Sequence, residues 1–87
     1  MYLSKDHKPT DEEEEKRITG AGSKVTNGRI NGALNVSRAI GDLDYKRTKK
    51  RNRVLQINET PVIAEPDVVK IEREGIELII LGTDGIW

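Results

Sequence analysis

Few side chains in this sequence have the type and spacing for chemistry. The first candidate closes the chain, in Ile76-Glu77-Leu78-Ile79-Ile80-Leu81-Gly82-Thr83-Asp84-Gly85-Ile86-Trp87. Leu78–Leu81 is an apolar run of the length of a buried strand. A carboxylate delivered by a buried strand is costly unless it is paired, hydrogen-bonded or bound to a metal. Packing also fixes such a strand well enough to hold a metal ligand in place. Asp84 therefore has two readings, a metal ligand or half of an ordinary Asp-Gly turn. Taken alone, these residues favour the turn. Arg29 and Arg38 offer planar forks for a phosphate, or pair with Asp42 or another acid to hold loops together. The structural role is the simpler one for both. His7 has no partner nearby in sequence and reads as a hydrogen-bonded structural histidine. The acidic run Asp11–Glu15 reads as a solvated first turn of a helix rather than a cation site.

Six basic residues, Lys46, Arg47, Lys49, Lys50, Arg51 and Arg53, fall within eight positions. Such a run suits nuclear import or nucleic acid. Beyond Tyr45 no aromatic interleaves with it, which disfavours single-strand binding. A solvated charged loop is the preferred reading.

The elements that would position these groups follow from pattern. Thr10 with Glu13 makes a capping box at a helix start. Acidic residues then sit where the helix dipole favours them. Glu12 with Lys16 and Glu13 with Arg17 are paired at i,i+4. Gly20 and Gly22 end the helix. Asn27-Gly28 predicts a two-residue type I′ hairpin turn between strands at Lys24–Thr26 and Arg29–Ala33. Ser37 is placed to cap a short helical turn ending at Gly41. Val68–Arg73 alternates as a half-buried strand. Glu74-Gly75 turns that strand into the final one, and Tyr2–Ser4 reads as the tail of another.

Composition bounds the class. Eighty-seven residues, 34% of them apolar and none of them Phe, allow one small domain with a thin core; about 60% of the unfolded surface is buried at this size. Fifteen basic residues balance fifteen acidic ones, so no global field selects nucleic acid or an anionic membrane. Without Cys there is no disulfide framework and no thiolate site. No apolar stretch reaches membrane-spanning length. The expectation is a soluble cytoplasmic protein, with the nucleus suggested by the basic run.

Five segments, in order, resemble consecutive motifs of the metal-dependent protein phosphatase 2C family, also called PPM-type phosphatases. They are Asp6–Pro9; Glu15–Ile18 before Ala21-Gly22; Gly28–Asp42; Ile63–Asp67; and Thr83–Trp87. The resemblance implies an α+β fold, here part of a β-sandwich flanked by helices: one N-terminal helix plus antiparallel hairpins. It makes 1–87 a partial domain holding the C-terminal half of the family's motifs, short at both ends, as from a truncated gene. The implied activity is hydrolysis of phosphoserine and phosphothreonine in proteins. Two Mg²⁺ or Mn²⁺ ions would acidify a water and neutralise phosphoryl charge. Asp84 matches a family metal ligand. No other catalytic residue and no substrate-binding residue is assigned within this chain.

Ser37-Arg38 to Asp42 resembles a structural segment beneath the site. Residues 42–60 match a variable surface segment near substrate, where the basic run would meet acidic or phosphorylated partners. The implied partners are phosphorylated proteins, without membrane or nucleic acid, and the complete domain is expected to be a monomer. The family's Asp-Gly-His-Gly segment, an upstream glutamate ligand, the phosphate-contacting arginine and a further downstream Asp ligand are absent, so the fragment by itself is expected to be inactive. Two other classes compete: a nucleic-acid or acidic-partner binding module built on Lys46–Arg53, and a non-catalytic interaction protein of phosphatase descent.

Overall fold

Helix α1 spans Glu12–Gly20 in the computed structural model, which describes residues 1–50 and 53–87, with the backbone alone at 49 and 50. Asp11, not Thr10, stands at the N-cap in an extended conformation. Its carboxylate accepts no helix N–H; it turns back to the Lys8 amide at 3.2 Å. The capping box is therefore replaced by a Lys8–Asp11 turn, closed by Asp11 N–H to the Lys8 carbonyl at 3.0 Å. The anticipated i,i+4 pairs are absent among the described residues. Arg17 turns instead to Glu14, one position nearer, because Glu14 lies on the buried face with Ile18.

The C-terminus of α1 is a Schellman motif. Gly22 takes φ +90°. The Ser23 amide reaches the Ile18 carbonyl at 3.1 Å and the Gly22 amide that of Thr19 at 2.9 Å, satisfying two otherwise orphaned carbonyls.

Strands β1 (Val25–Thr26) and β2 (Arg29–Ile30) pair antiparallel, Val25 opposite Ile30 and Thr26 opposite Arg29. Asn27 at φ 52° and Gly28 at φ 74° give the turn the positive torsions that a type I′ connection needs. The second strand is shorter than expected. Asn31 and Gly32, at φ 51° and 73°, turn the chain again, and the Ala33 amide closes on the Ile30 carbonyl at 3.0 Å.

No helical turn follows Ser37. Ser37–Ala39 runs extended and parallel to Val62–Ile63. The Ala39 amide donates to the Ile63 carbonyl at 3.0 Å, and the Ile63 amide to that of Ser37 at 3.3 Å. The helical turn comes later, as a 3₁₀ turn at Leu43–Tyr45 that opens on Asp42 in the left-handed region at φ 50°. The basic run is a hairpin rather than a loop. Strands β3 (Lys49–Lys50) and β4 (Arg53–Val54) pair antiparallel, with Lys50 opposite Arg53. Arg51, one of the six basic positions, lies outside the described residues.

Ile18, Ile30 and Val62 form the core, with Val25, Leu34, Ala39 and Tyr45 packed around it. Helix, first hairpin and the Val62 strand each contribute one fully buried aliphatic side chain.

The C-terminal expectations fail at the level of strands. Neither Val68–Arg73 nor Leu78–Leu81 forms a strand, and neither does Tyr2–Ser4. Leu78, Ile79, Ile80 and Leu81 are exposed, Leu81 at 89%. A strand is held by hydrogen bonds to neighbours; Met1 and Leu3 lie beside Ile76–Ile79, but among the described residues no backbone hydrogen bond joins the two segments. The Glu74-Gly75 turn does form, with Gly75 at φ 81° and the Ile76 amide on the Arg73 carbonyl. No helix among the described residues is long and apolar enough to cross a membrane.

Candidate functional site

Asp84 stands in a tight turn at the end of the extended arm. The Ile86 amide donates to the Thr83 carbonyl at 2.9 Å, with Asp84 and Gly85 between them. Beside this turn a methyl group added at Gly82 would stand 3.0 Å from the Trp87 ring, so the indole lies directly over bare backbone there. The Asp84 side chain is exposed. No group of three His, Asp or Glu side chains gathers to hold a metal among the described residues. Asp84 is a hard oxygen donor of the type Mg²⁺ and Mn²⁺ prefer, but one carboxylate is not a site. These residues offer one such oxygen donor and not a set.

The dense polar chemistry lies elsewhere, around Glu14. Its carboxylate is almost fully buried on the inner face of α1. Arg38 grips it with two bonds, Nε to Oε1 at 2.9 Å and an Nη to Oε2 at 3.0 Å. Arg17 donates to Oε1 at 3.0 Å. The Ser37 hydroxyl lies 2.9 Å from Oε1 and 3.0 Å from the His7 carbonyl, so its single proton serves one of the two at a time. Burial opposes ionisation of Glu14, yet Arg38, Ser37 and Arg17 outweigh it and hold the carboxyl down at about 2 instead of the ordinary 4.5. Glu14 is therefore an anion buried between two guanidinium groups.

Arg17 also ties distant backbone together. Its Nε donates to the Thr60 carbonyl at 3.2 Å, and one Nη to the carbonyls of Ser37 at 2.9 Å and Pro61 at 3.2 Å. Arg38 reaches outward to the Glu65 carbonyl at 3.2 Å and to Asp67 at 3.3 Å. Asp67 in turn meets His7 Nε2 at 3.0 Å. Every buried side-chain polar atom among the described residues has a partner. A network of this kind, with every buried polar side-chain atom partnered, orders the backbone it ties together.

The structural readings of His7 and Arg38 hold, although the partner is Glu14 and Asp67 rather than Asp42. Arg29 caps its own turn, on the Ala33 carbonyl at 2.9 Å. The reading of the acidic run fails at Glu14 alone. Glu14 shares the helix face of Ile18, four residues on, and that spacing was the available signal.

The Glu14 network joins the segments Asp6–Pro9, Glu15–Ile18, Ser37–Arg38 and Ile63–Asp67, and the arm beyond them carries Asp84. A family model described as Protein phosphatase 2C matches residues 1–87. The chain belongs to the protein phosphatase 2C family. It is 49% identical over 86 residues to probable protein phosphatase 2C 2 of Paramecium tetraurelia, covering 98% of this chain and 27% of that protein. It is 48% identical over 87 residues to protein phosphatase ppm-1.G of Caenorhabditis elegans, again over 98% of this chain, but 17% of the relative. Among solved structures it resembles a phosphatase from Toxoplasma gondii, with a TM-score of 0.68, 44% identity, and coverage of 77% of this chain and 20% of that one. The chain thus spans about a quarter or less of the phosphatases it matches.

Proposed function

We propose that this chain is the part of a protein serine/threonine phosphatase that contributes one metal ligand, Asp84, and the polar clamp that joins its segments. The observation that carries the reading is the family match over all 87 residues. The substrates are proteins bearing phosphoserine or phosphothreonine. A pair of Mg²⁺ or Mn²⁺ ions, when bound, would supply an acidified water and neutralise charge on the phosphoryl group. Within this chain, Asp84 offers one hard oxygen toward such a site, and the short turn Thr83–Ile86 limits where that oxygen points. Glu14, Arg17, Arg38 and Asp67 hold the segments from which the arm departs.

The test uses the full-length protein containing this segment. Hydrolysis of a phosphothreonine peptide should require Mn²⁺ or Mg²⁺ and stop on chelation. Asp84→Asn keeps the size of the side chain but removes its charge. It should weaken Mn²⁺ binding by titration and lower turnover by orders of magnitude, with an unchanged melting temperature in the absence of metal. An Asp84→Asn variant that binds Mn²⁺ as tightly as the parent would reduce Asp84-Gly85 to a turn.

A further inference from the structure

We propose that Asn27-Gly28 is a site of spontaneous covalent modification, deamidation with isoaspartate formation, and that the fold shields the second such pair, Asn31-Gly32, from the same reaction. The proposal goes beyond the phosphatase reading and does not depend on it.

The chain repeats a pattern here, Asn27-Gly28-Arg29-Ile30 and then Asn31-Gly32-Ala33-Leu34. Both asparagines stand in the left-handed region, and both Asn-Gly pairs are exposed. An asparagine followed by glycine is open to attack by its own backbone. The Gly28 amide gives its proton to a solvent base, and the nitrogen bonds to Asn27 Cγ. The Cγ–Nδ2 bond breaks, and the departing nitrogen takes up a proton and leaves as ammonia. A five-membered succinimide remains. Water opens that ring at either carbonyl. Cleavage at Cγ gives aspartate, and cleavage at the backbone carbonyl gives isoaspartate, whose main chain runs through Cβ and Cγ. One water is consumed and one ammonia released, with no oxidant or reductant. Glycine favours the attack because it has no Cβ to crowd the nitrogen. Open space surrounds the place of a Cβ at Gly28 and at Gly32 alike. Residue type and exposure therefore do not separate the two pairs.

Hydrogen bonding does separate them. Asn31 Oδ1 accepts the Lys24 amide at 3.0 Å, and the Asn31 amide donates to the Lys24 carbonyl at 2.7 Å. Asn31 Nδ2 lies 3.4 Å from the Ser23 hydroxyl. The attacking nitrogen is engaged too, since the Gly32 amide donates to the Arg29 carbonyl at 3.3 Å. The next amide, of Ala33, closes on the carbonyl of Ile30, whose side chain is fully buried. For Asn31 to react, this set must break beside the core. Asn27 has no such set: among the described residues neither its side chain nor the Gly28 amide makes a hydrogen bond. Its turn is flanked by the exposed pair Thr26 and Arg29. Ring closure requires the turn to open, and opening is easiest where few bonds and little buried surface are lost.

The two products differ in consequence. Aspartate tolerates the left-handed torsion and keeps the turn. Isoaspartate lengthens the main chain by one carbon. A two-residue loop then no longer sets Val25 opposite Ile30.

The experiment incubates the full-length protein in mildly alkaline buffer, native and in urea. Trypsin cuts after Lys24, Arg29 and Arg38, so Asn27 and Asn31 fall on separate peptides. Mass spectrometry, with chromatography that resolves isoaspartate, follows each. In urea the two sites should react at rates within about twofold of each other. In the native protein Asn27 should react roughly tenfold faster than Asn31, the effect of one or two hydrogen bonds that must break at Asn31 alone. Asn27→Gly fits the same turn but offers no amide to attack. Its melting curve should survive incubation, while that of the parent shifts down as isoaspartate accumulates at 27. The proposal is overturned by equal native rates, by faster loss of Asn31, or by native Asn27 staying intact while both sites react in urea. The loss of register is overturned if incubated Asn27→Gly loses stability as the parent does.

Discussion

Glu14 is one of four consecutive glutamates, and its neighbours in the run do something different. Glu12, Glu13 and Glu15 face water on the first turn, as the charge pattern predicts. Glu14 is buried between Arg17 and Arg38. Removing one partner of a buried pair costs roughly 3–5 kcal/mol, because the remaining charges are stranded. Glu14→Gln should therefore lower thermal stability severely, whereas Glu13→Gln should stay within about 0.5 kcal/mol. Equal effects of the two changes would return Glu14 to the solvated turn. The pH dependence has a definite sign. The carboxyl ionises at about 2 when folded and near 4.5 when free. Its contribution is complete above pH 4.5 and is lost as pH falls from there toward 2. A melting series between pH 6 and 2 should show the parent losing stability through this window more steeply than Glu14→Gln. Sequence offers for Glu14 only its place on the helix face of Ile18. Its partners, Ser37 and Arg38, lie 23 and 24 residues away and are brought to it by the parallel pairing of Ser37–Ala39 with Val62–Ile63, which no local pattern announces.

At the scale of elements, local chemistry is legible and non-local pairing is not. The Asn27-Gly28 turn and the glycine stop of α1 are read correctly because single residues carry the needed torsions. Two substitutions separate the roles of glycine. Gly28 sits at φ 74° with open space where a Cβ would go. Gly28→Ala should destabilise by about 1–2 kcal/mol through backbone conformation alone. Gly20 lies inside α1, also with open space around a new methyl group. Gly20→Ala should stabilise by about 0.5–1 kcal/mol by restricting the unfolded chain. Urea unfolding of both variants in the full-length protein checks the pair, and a shift of the same sign in both would refute the argument. The arm beyond Asp67 shows the opposite case. Its alternating and continuous apolar runs do carry strand propensity, but propensity describes how a residue fits a sheet already present. The basic hairpin was misread for a related reason: charged side chains obscure a backbone pairing that depends on register.

The whole molecule is elongated, with a radius of gyration of 15.5 Å and extents of 52 × 25 × 22 Å. A packed domain of this length would measure about 12 Å. The difference is the arm, which carries Val68, Leu78, Ile80, Leu81, Ile86 and Trp87 into solvent. Produced by itself, the 87-residue chain should self-associate and bind hydrophobic dyes, and Leu78→Lys with Ile80→Lys should suppress both. It should also show no phosphatase turnover with Mn²⁺, since one carboxylate does not hold two ions. A soluble, dye-silent monomer with metal-dependent turnover would contradict this description. The family is legible at this scale because motif order survives in the sequence, while the state of the arm is not, because it depends on what packs against it. The Arg17 fan of carbonyl contacts has a consequence for the order of assembly. Its acceptors at Thr60 and Pro61 stand 43 and 44 residues downstream. As the chain leaves the ribosome, helix α1 emerges complete, but of the three carbonyls the guanidinium binds only that of Ser37 is present until the second half has been made. Closing a loop of that length must precede any gain from the contacts it brings, so α1 waits in water, and the slow event in building this clamp is the arrival of Thr60–Ile63.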